Sequence, residues 1–345
     1  MFHAAVAELA DALDSGSSPD CQGGGSSPFC RTKQKTRSST LSFSCSGLQV
    51  HDDIPLLLCY TKDRKGSDIM KLNFIKTSPA GNTTVFILDQ LPRDMHSQVA
   101  RTLMDPGSLY AEQVGFIEKP KEDPDGIRLQ MMGGEFCGNA SRSFAAYMVY
   151  SGYPQIGFEN NSYLVPIQVS GLERDLVCRV YPTKIPSSFR ASVEMPLPLG
   201  MHAEEFIISG EKRSAIRVDF PGITHFVVDE DNLRSRTEFF HLVRDKMSNE
   251  SFEAFGIMYH NFEESTSAPL VYVKGTDSLV WEKSCASGTA ALGAAMAYLS
   301  GSDIQMEIKQ PGGSLFIKVE WNGEEVTSIT LDGMVEIVAE GTVNL

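Results

Sequence analysis

Two cysteines occupy the same kind of position in the sequence, between a turn of small residues and an apolar stretch with helical spacing. Cys137 lies in GGEFCGNASRSFAAY, and Cys285 lies in VWEKSCASGTAALGAAMAYLSGS. The small and capping residues after each cysteine are typical of the first turn of a helix. A helix start carries unpaired N–H groups and a partial positive charge, so it binds carboxylates and lowers the pKa of a thiol. The simpler interpretation of Cys137 is a small hydrophobic residue at a tight turn.

The two cysteine segments also resemble each other. When the cysteines are superposed, chemically similar residues coincide along the following helix, namely Ser141 with Thr289, Phe144 with Leu292, Ala146 with Ala294, Met148 with Met296 and Tyr150 with Tyr298. This repetition predicts two related halves, each presenting a cysteine at a helix start.

Three chemistries suit such a pair of cysteines: a disulfide, a metal site or an acid/base pair. A disulfide is disfavoured in a reducing compartment, and the chain has no CxxC, HxH or HExxH motif that would bind a metal. In an acid/base pair, one thiolate takes a proton from a carbon while the other thiol protonates the opposite face. The sequence therefore predicts racemisation or epimerisation without a cofactor.

The two cysteine motifs resemble the active-site motifs of the diaminopimelate epimerase-like racemases. Further segments resemble this family in the same order, from about residue 70 to residue 345: NFIKTSPAGNTTVFILD, YAEQVGFIE, FPGITHFVVDE, QPGGSLFIKVEW and LDGMVEIVAEG. The resemblance implies an α+β fold with two pseudo-symmetric domains. Each domain would be a β-barrel-like sheet around a central helix, and the active site would lie in the cleft between them.

On this resemblance, residues 70–345 divide into three parts. Residues 70–190 form the first domain, residues 191–330 form the second, and residues 331–345 form a strand that returns to the first domain. The junction lies near PTKIPSSF, residues 182–189. Apolar spacing predicts helices at 94–104 and 234–247, and the other apolar segments after residue 70 are predicted strands.

The resemblance also implies the roles of individual residues. Cys137 and Cys285 match the two catalytic cysteines. Glu135 either tunes the first cysteine or caps its helix, and Cys178 is interpreted as a core residue. The positions that match substrate-binding residues are Asn82, Gln113, Gly138, Asn139, His225, Glu282, Ala286 and Ser287.

Departures from the family pattern indicate a substrate other than diaminopimelate. The epimerases have asparagine where this chain has Ile223, and the segment before the second cysteine is shortened to WEKSC. The second charged end of diaminopimelate would meet Ile223, Met131 and Met132. Burying an unpaired charge there would cost on the order of several kcal/mol. The pattern resembles the histidine-racemase branch of the family, whereas proline racemases have histidine at the position of Asn139. The alternatives are a diaminopimelate epimerase, and a non-catalytic or isomerase relative with the same fold. The isomerase branch usually has a single carboxylate in place of the cysteine pair, whereas this chain has both cysteines.

Composition narrows the class of partner. The 345 residues carry a net charge of −14, which disfavours nucleic acid as a partner, and 42% of them are hydrophobic, as in ordinary globular proteins. Neither a membrane-spanning apolar run nor a secretory signal is present. The odd number of cysteines, seven, without framework spacing, predicts a cytoplasmic protein. Whether it forms a homodimer is left open.

Residues 1–69 differ from the rest of the chain. They are rich in serine, glycine and basic residues with little apolar periodicity, which is typical of disorder. The segment VAELADALDSGSSP resembles the conceptual translation of a transfer-RNA gene, and Met70 begins MKLNFIK, which resembles the family's usual start. We therefore expect this segment to be disordered or a spurious extension.

The first prediction concerns this extension. A chain beginning at Met70 should match the full-length chain in thermal melting temperature and in racemase activity, because no family-like segment is lost. Both forms are compared by circular dichroism and by chiral chromatography of the reaction products. A short form that fails to fold or loses activity would show that residues 1–69 are required.

Overall fold

The computed structural model describes residues 60–62, 68–120, 126–154 and 156–345. The predictions for residues 1–59 lie outside the described residues. Residues 60–62 form a short strand, β1, which pairs antiparallel with residues 68–70. The described structure is a mixed, sheet-dominated α+β fold with few helices, so the predicted α+β class is confirmed.

In the described ranges, four α-helices accompany eighteen strands. The helices are α1 (Arg93–Met104), α2 (Gly138–Tyr150), α3 (Arg236–Ser248) and α4 (Ala286–Ser300). The first nine strands are β1 (Tyr60–Lys62), β2 (Asp68–Pro79), β3 (Thr84–Ile87), β4 (Gln113–Glu118), β5 (Arg128–Met131), β6 (Gly157–Glu159), β7 (Ser162–Val169), β8 (Leu176–Pro182) and β9 (Ser188–Glu194). The others are β10 (Gly200–Ile208), β11 (Glu211–Phe220), β12 (Ile223–Asp229), β13 (Ala254–Asn261), β14 (Thr266–Val273), β15 (Ser278–Trp281), β16 (Ile304–Gln310), β17 (Gly313–Trp321) and β18 (Val326–Asn344).

Both helices predicted away from the cysteines are confirmed within two residues. The side chain of Ser235 accepts a hydrogen bond from the backbone of Glu238 and so begins α3. Strand β9 begins inside the segment predicted as a domain junction. Strand β10 was not predicted, because its alternating exposed residues give only a weak apolar signal.

Strands β2 to β9 form a closed ring around α2. Pairing runs from β2 through β3, β4, β5, β7 and β8 to β9, and β18 pairs with both β9 and β2. The side chains of Phe144, Ala145 and Ala146 on α2 are fully buried inside the ring. A helix that is apolar on most sides is stable only when protein surrounds it, so the ring positions the start of α2 firmly.

Strands β10 to β14, β16, β17 and the first part of β18 form a second sheet that packs against α4. Pairing runs from β10 through β11, β12, β13, β14, β16 and β17 to β18. A Cβ atom on Gly293 would lie 2.8 Å from Ile317 Cγ1 and 2.9 Å from Val319 Cγ2. The missing side chain therefore lets α4 lie close against β17.

Three apolar cores hold these layers together. The largest contains buried side chains from both α2 and α4, while α3 and α1 each pack on the outer face of a sheet in a smaller core. Cys178 is fully buried in the largest core, as predicted. Among the described helices, none is long and apolar enough to span a bilayer.

Candidate active site

Cys137 is the N-cap residue of α2. Its extended backbone lets Sγ accept a hydrogen bond from the Ala140 amide at 3.4 Å, while the thiol faces Gln113 Oε1 at 3.1 Å. The hydroxyl of Ser141 donates to the Cys137 carbonyl at 2.8 Å. The predicted helix start is confirmed, and the cysteine itself satisfies one of the free N–H groups of the first turn.

Cys285 caps α4 in the same way. Its Sγ accepts from the Gly288 amide at 3.4 Å and lies 3.6 Å from Ser287 Oγ. Gln310 Oε1 accepts from the Cys285 amide at 2.8 Å, and Gln310 Nε2 donates at 2.7 Å to Thr289, whose hydroxyl donates to the Cys285 carbonyl at 2.7 Å. The backbone on both sides of this cysteine is therefore fixed.

The two helix starts meet each other. A Cβ atom on Gly138 would lie 3.1 Å from the Ala286 Cβ, so only a hydrogen atom fits at this point of α2 without displacement. One residue further, Asn139 Nδ2 donates to the Ser284 carbonyl at 3.2 Å. The two positive helix ends therefore converge, and together they favour an anion such as a carboxylate.

An amide network lies beside Cys137. Asn82 Oδ1 accepts from Gln113 Nε2 and, at 3.2 Å, from Asn139 Nδ2. Asn82 Nδ2 donates to Glu112 Oε2 at 2.7 Å, and Lys283 Nζ lies 3.9 Å from Glu112 Oε1. The structure thus brings together the predicted Asn82, Gln113 and Asn139.

The electrostatics of the cysteines differ from the expectation. Burial raises the pKa of Cys137 to about 12, and the charges of Glu135 and Glu282 act in the same direction. Burial and Glu282 also raise the pKa of Cys285 well above its ordinary value. The amides of the helix starts act to lower the thiol pKa, as predicted, but desolvation outweighs them, so the pKa of each cysteine lies above its ordinary value.

Glu282 is the predicted residue that lies with Cys285. Burial raises the pKa of its carboxyl group to about 7, and a hydrogen bond with Cys285 partly offsets that effect. The charge of Glu112 raises the Glu282 pKa further. Two carboxyl groups from different elements therefore act on the same small region.

His225 supports the second helix start. Its ring is fully buried, and Nε2 lies 2.9 Å from Ser287 Oγ. A Cβ atom on Gly256, its neighbour on the parallel strand β13, would overlap the ring. Burial lowers the pKa of His225 to about 3, so the ring is neutral and orients Ser287.

The three residues predicted to meet the distal end of the substrate lie in different surroundings. Met131 packs into the largest core, Met132 packs against the core beneath α1, and Ile223 is partly exposed at the start of β12. In the parts of the chain that the structure describes, no group of three or more histidine, cysteine or acidic side chains could hold a metal ion.

Sequence reasoning missed four residues of the site: Glu112, Arg142, Ser284 and Gln310. Glu112 precedes the predicted Gln113, and Ser284 precedes the predicted Cys285, so adjacency was an available signal. Gln310 stands in the quoted QPGG segment, but its contact with Cys285 joins residues 25 positions apart. No spacing rule connects such partners in the sequence.

Comparison with known proteins agrees with this geometry. Residues 71–344 match the profile of the histidine racemase CntK N-terminal domain. A histidine racemase of Fusobacterium nucleatum is 38% identical over 279 residues, which span 80% of this chain and 98% of that protein. A histidine racemase of Staphylococcus aureus is 28% identical over 282 residues, spanning 78% of this chain and 96% of that protein.

Solved structures share the fold at low sequence identity. A hydroxyproline epimerase from Agrobacterium vitis has a TM-score of 0.56 at 10% identity and covers 80% of this chain and 91% of its own. A PhzF-family phenazine biosynthesis protein from Bacillus anthracis has a TM-score of 0.53 at 12% identity and covers 80% and 99%. With the matched profile and the 38% identical relative, these findings identify the chain as a member of the histidine racemase family of amino-acid isomerases.

Proposed function

We propose that the protein is a cofactor-independent racemase that inverts the α-carbon of free histidine with Cys137 and Cys285 as its acid/base pair. The observation that carries the proposal is the meeting of two cysteine-capped helices, with Gly138 against Ala286. An α-carbon between two thiols can lose its proton on one face, and the planar carbanion that results can gain a proton on the other. One cysteine at one helix could serve only one face.

Each turnover moves two protons. One cysteine begins as a thiolate and removes the α-proton, while the other begins as a thiol and gives its proton to the opposite face of the same carbon. The first cysteine ends protonated and the second ends as a thiolate, so atoms and charge balance. The reverse reaction uses the opposite starting state.

The raised thiol pKa values suit this chemistry. An α-proton of an amino acid is weakly acidic, and a desolvated thiolate with a high pKa is a stronger base than one in water. The carbanion places negative charge on the substrate carboxylate. The partial positive charge at the starts of α2 and α4 stabilises that negative charge.

Substrate recognition rests on the same network. The α-amino and α-carboxylate groups would contact Asn82, Asn139 and the helix starts, with Gln113, Gly138, Ala286, Ser287 and His225 shaping the site. An imidazole would lie toward Ile223 and donate to the carboxylate of Glu282. The matched relatives named histidine racemases support this choice over diaminopimelate, whose second charged end has no asparagine at position 223.

The division into two pseudo-symmetric domains, residues 70–190 and 191–330 with a returning strand at 331–345, belongs to the same proposal. It is supported by the repeated order of pairings. A parallel pair encloses α1 between β3 and β4, and another encloses α3 between β12 and β13. A parallel pair also encloses each cysteine helix, β5 with β7 and β14 with β16.

The second prediction tests the cysteine pair. Cys137→Ser and Cys285→Ser should each lower kcat by about 10²–10⁴-fold, because a hydroxyl is a far weaker base than a thiolate. In heavy water, the product enantiomer of the wild-type enzyme should carry deuterium at the α-carbon. Cys178→Ala serves as the control, since Cys178 is buried in the core away from the reacting carbon. Full activity in either serine variant would end the two-base mechanism.

The third prediction concerns pH. The pKa of Glu282 is raised from 4.5 to about 7, so its ionisation in the folded state opposes folding. Relative to Glu282→Gln, the wild-type protein should lose stability on the order of 1–3 kcal/mol as pH rises from about 4.5 to above 7. Urea unfolding at several pH values measures the difference, and Glu324→Gln on an exposed turn provides the control. A constant difference across this window would contradict the raised pKa.

The fourth prediction concerns the substrate. Values of kcat/KM for L-histidine should exceed those for LL-diaminopimelate by at least about 10²-fold, because the site offers no partner for a second charged end. L-Proline and other free amino acids are measured in the same chiral assay. A preference for diaminopimelate would favour the alternative function.

A further inference from the structure

Arg142 is a fully buried cation within α2, one turn after Cys137. Its Nη2 donates to Asn139 Oδ1 at 2.7 Å. Within the described structure, its Nε and Nη1 atoms have no hydrogen-bond partner. The carboxylate of Asp332, which also acts on Arg142, is engaged at 2.6 Å by Arg190. A buried cation with a single hydrogen bond is costly, so the bond that it does make is informative.

Arg142 fixes the orientation of the Asn139 amide. A guanidinium group donates hydrogen bonds and never accepts them, so the atom of Asn139 that faces it must be the oxygen. The nitrogen of Asn139 must then face the other way, toward Asn82 and Ser284, as the distances of 3.2 Å to Asn82 Oδ1 and the Ser284 carbonyl show.

The same reasoning fixes the next amide from two sides. Asn82 receives the Asn139 donor on its oxygen, and its nitrogen donates to the acceptor oxygen of Glu112 at 2.7 Å. Its oxygen therefore also faces Gln113, which must present its nitrogen. A donor-only cation at one end and a carboxylate at the other leave a single consistent orientation for all three amides.

Gln113, the last of the three amides, contacts the thiol of Cys137. With its nitrogen bound to Asn82, Gln113 presents Oε1 to Cys137 Sγ at 3.1 Å. A carbonyl oxygen accepts a hydrogen bond from a thiol but repels a thiolate. Cys285 has different neighbours, namely the Gly288 amide, the Ser287 hydroxyl and the carboxyl group of Glu282.

We propose that Arg142 is a positioning residue that acts through Asn139, Asn82 and Gln113 to hold Cys137 in its protonated form in the resting site. This inference rests on the proposed two-cysteine function for its consequence, which is that Cys137 starts as the proton donor. Arg142 touches neither thiol in this scheme. It acts by fixing which atom of Gln113 faces Cys137.

A double-mutant cycle on thiol reactivity tests the relay. The four proteins are the wild type, Gln113→Leu, Arg142→Met and the double variant, and the readout is the rate of Cys137 alkylation by iodoacetamide at fixed pH, followed by peptide mass spectrometry. Alkylation reports the thiolate fraction. The direct charge of Arg142 favours the thiolate, but it changes both Arg142→Met proteins alike and cancels in the cycle.

Gln113→Leu should speed Cys137 alkylation by about threefold or more when Arg142 is present, since one neutral hydrogen bond to the thiol is lost. With Met at position 142, the same change should alter the rate by less than about half that factor, because Asn139 is then held only through its nitrogen and Gln113 is positioned less firmly. The Cys285 peptide is an internal control whose rate should not respond to Gln113→Leu. Equal factors in both backgrounds, or no effect in either, would overturn the proposal.

Replacing a buried charge by an apolar side chain of similar length is often tolerated. Should Arg142→Met nevertheless fail to fold, Asn139→Ala breaks the relay at the next link and should abolish the Gln113 effect in the same way. Arg142→Lys retains a donor-only cation and should restore part of the effect. Because alkylation needs no substrate, its result stands apart from the serine variants, which decide whether the two cysteines racemise anything.

Discussion

The contact between the first turns of α2 and α4 is the constraint on which the site depends. Gly138 and Ala286 are the residues that permit it, because a Cβ on Gly138 would press on Ala286 and lie 2.6 Å from the sulfur of Met195. Two helix ends of the same polarity repel each other. The apolar contacts that bury α2 and α4 must therefore supply the free energy that holds the two helix ends together. An anion between the ends would relieve the repulsion.

Burial has two opposite effects on the proposed chemistry. It raises the pKa of both thiols and of Glu282, so a thiolate is harder to form but is a stronger base once formed. A polar group lies beside each thiol and contacts it. A neutral amide faces Cys137, whereas an ionisable carboxyl group faces Cys285. The two cysteine helices thus begin alike but differ in the groups that face their thiols.

Much of this arrangement follows from local sequence patterns. Capping residues and apolar spacing predict the two cysteine helices, and the motif resemblance places Asn82, Gln113 and His225 near them. The electrostatic result could not be predicted, because desolvation is a property of two halves packed together and not of either helix start. The roles of Arg142 and Gln310 were equally hidden. Each depends on partners that only the tertiary fold brings within hydrogen-bond distance.

Strand β18 belongs to both sheets, since its first part pairs with β17 and β9 and its last part pairs with β2. The ring around α2 therefore closes only with residues from the far end of the chain. During synthesis, the apolar surface of α2 is therefore not fully covered until β18 has left the ribosome. Contacts this distant in sequence slow folding and leave unpaired strand edges exposed meanwhile. Between the synthesis of α2 and that of β18, the unfinished ring is exposed to aggregation, and chaperones can bind its uncovered apolar surface.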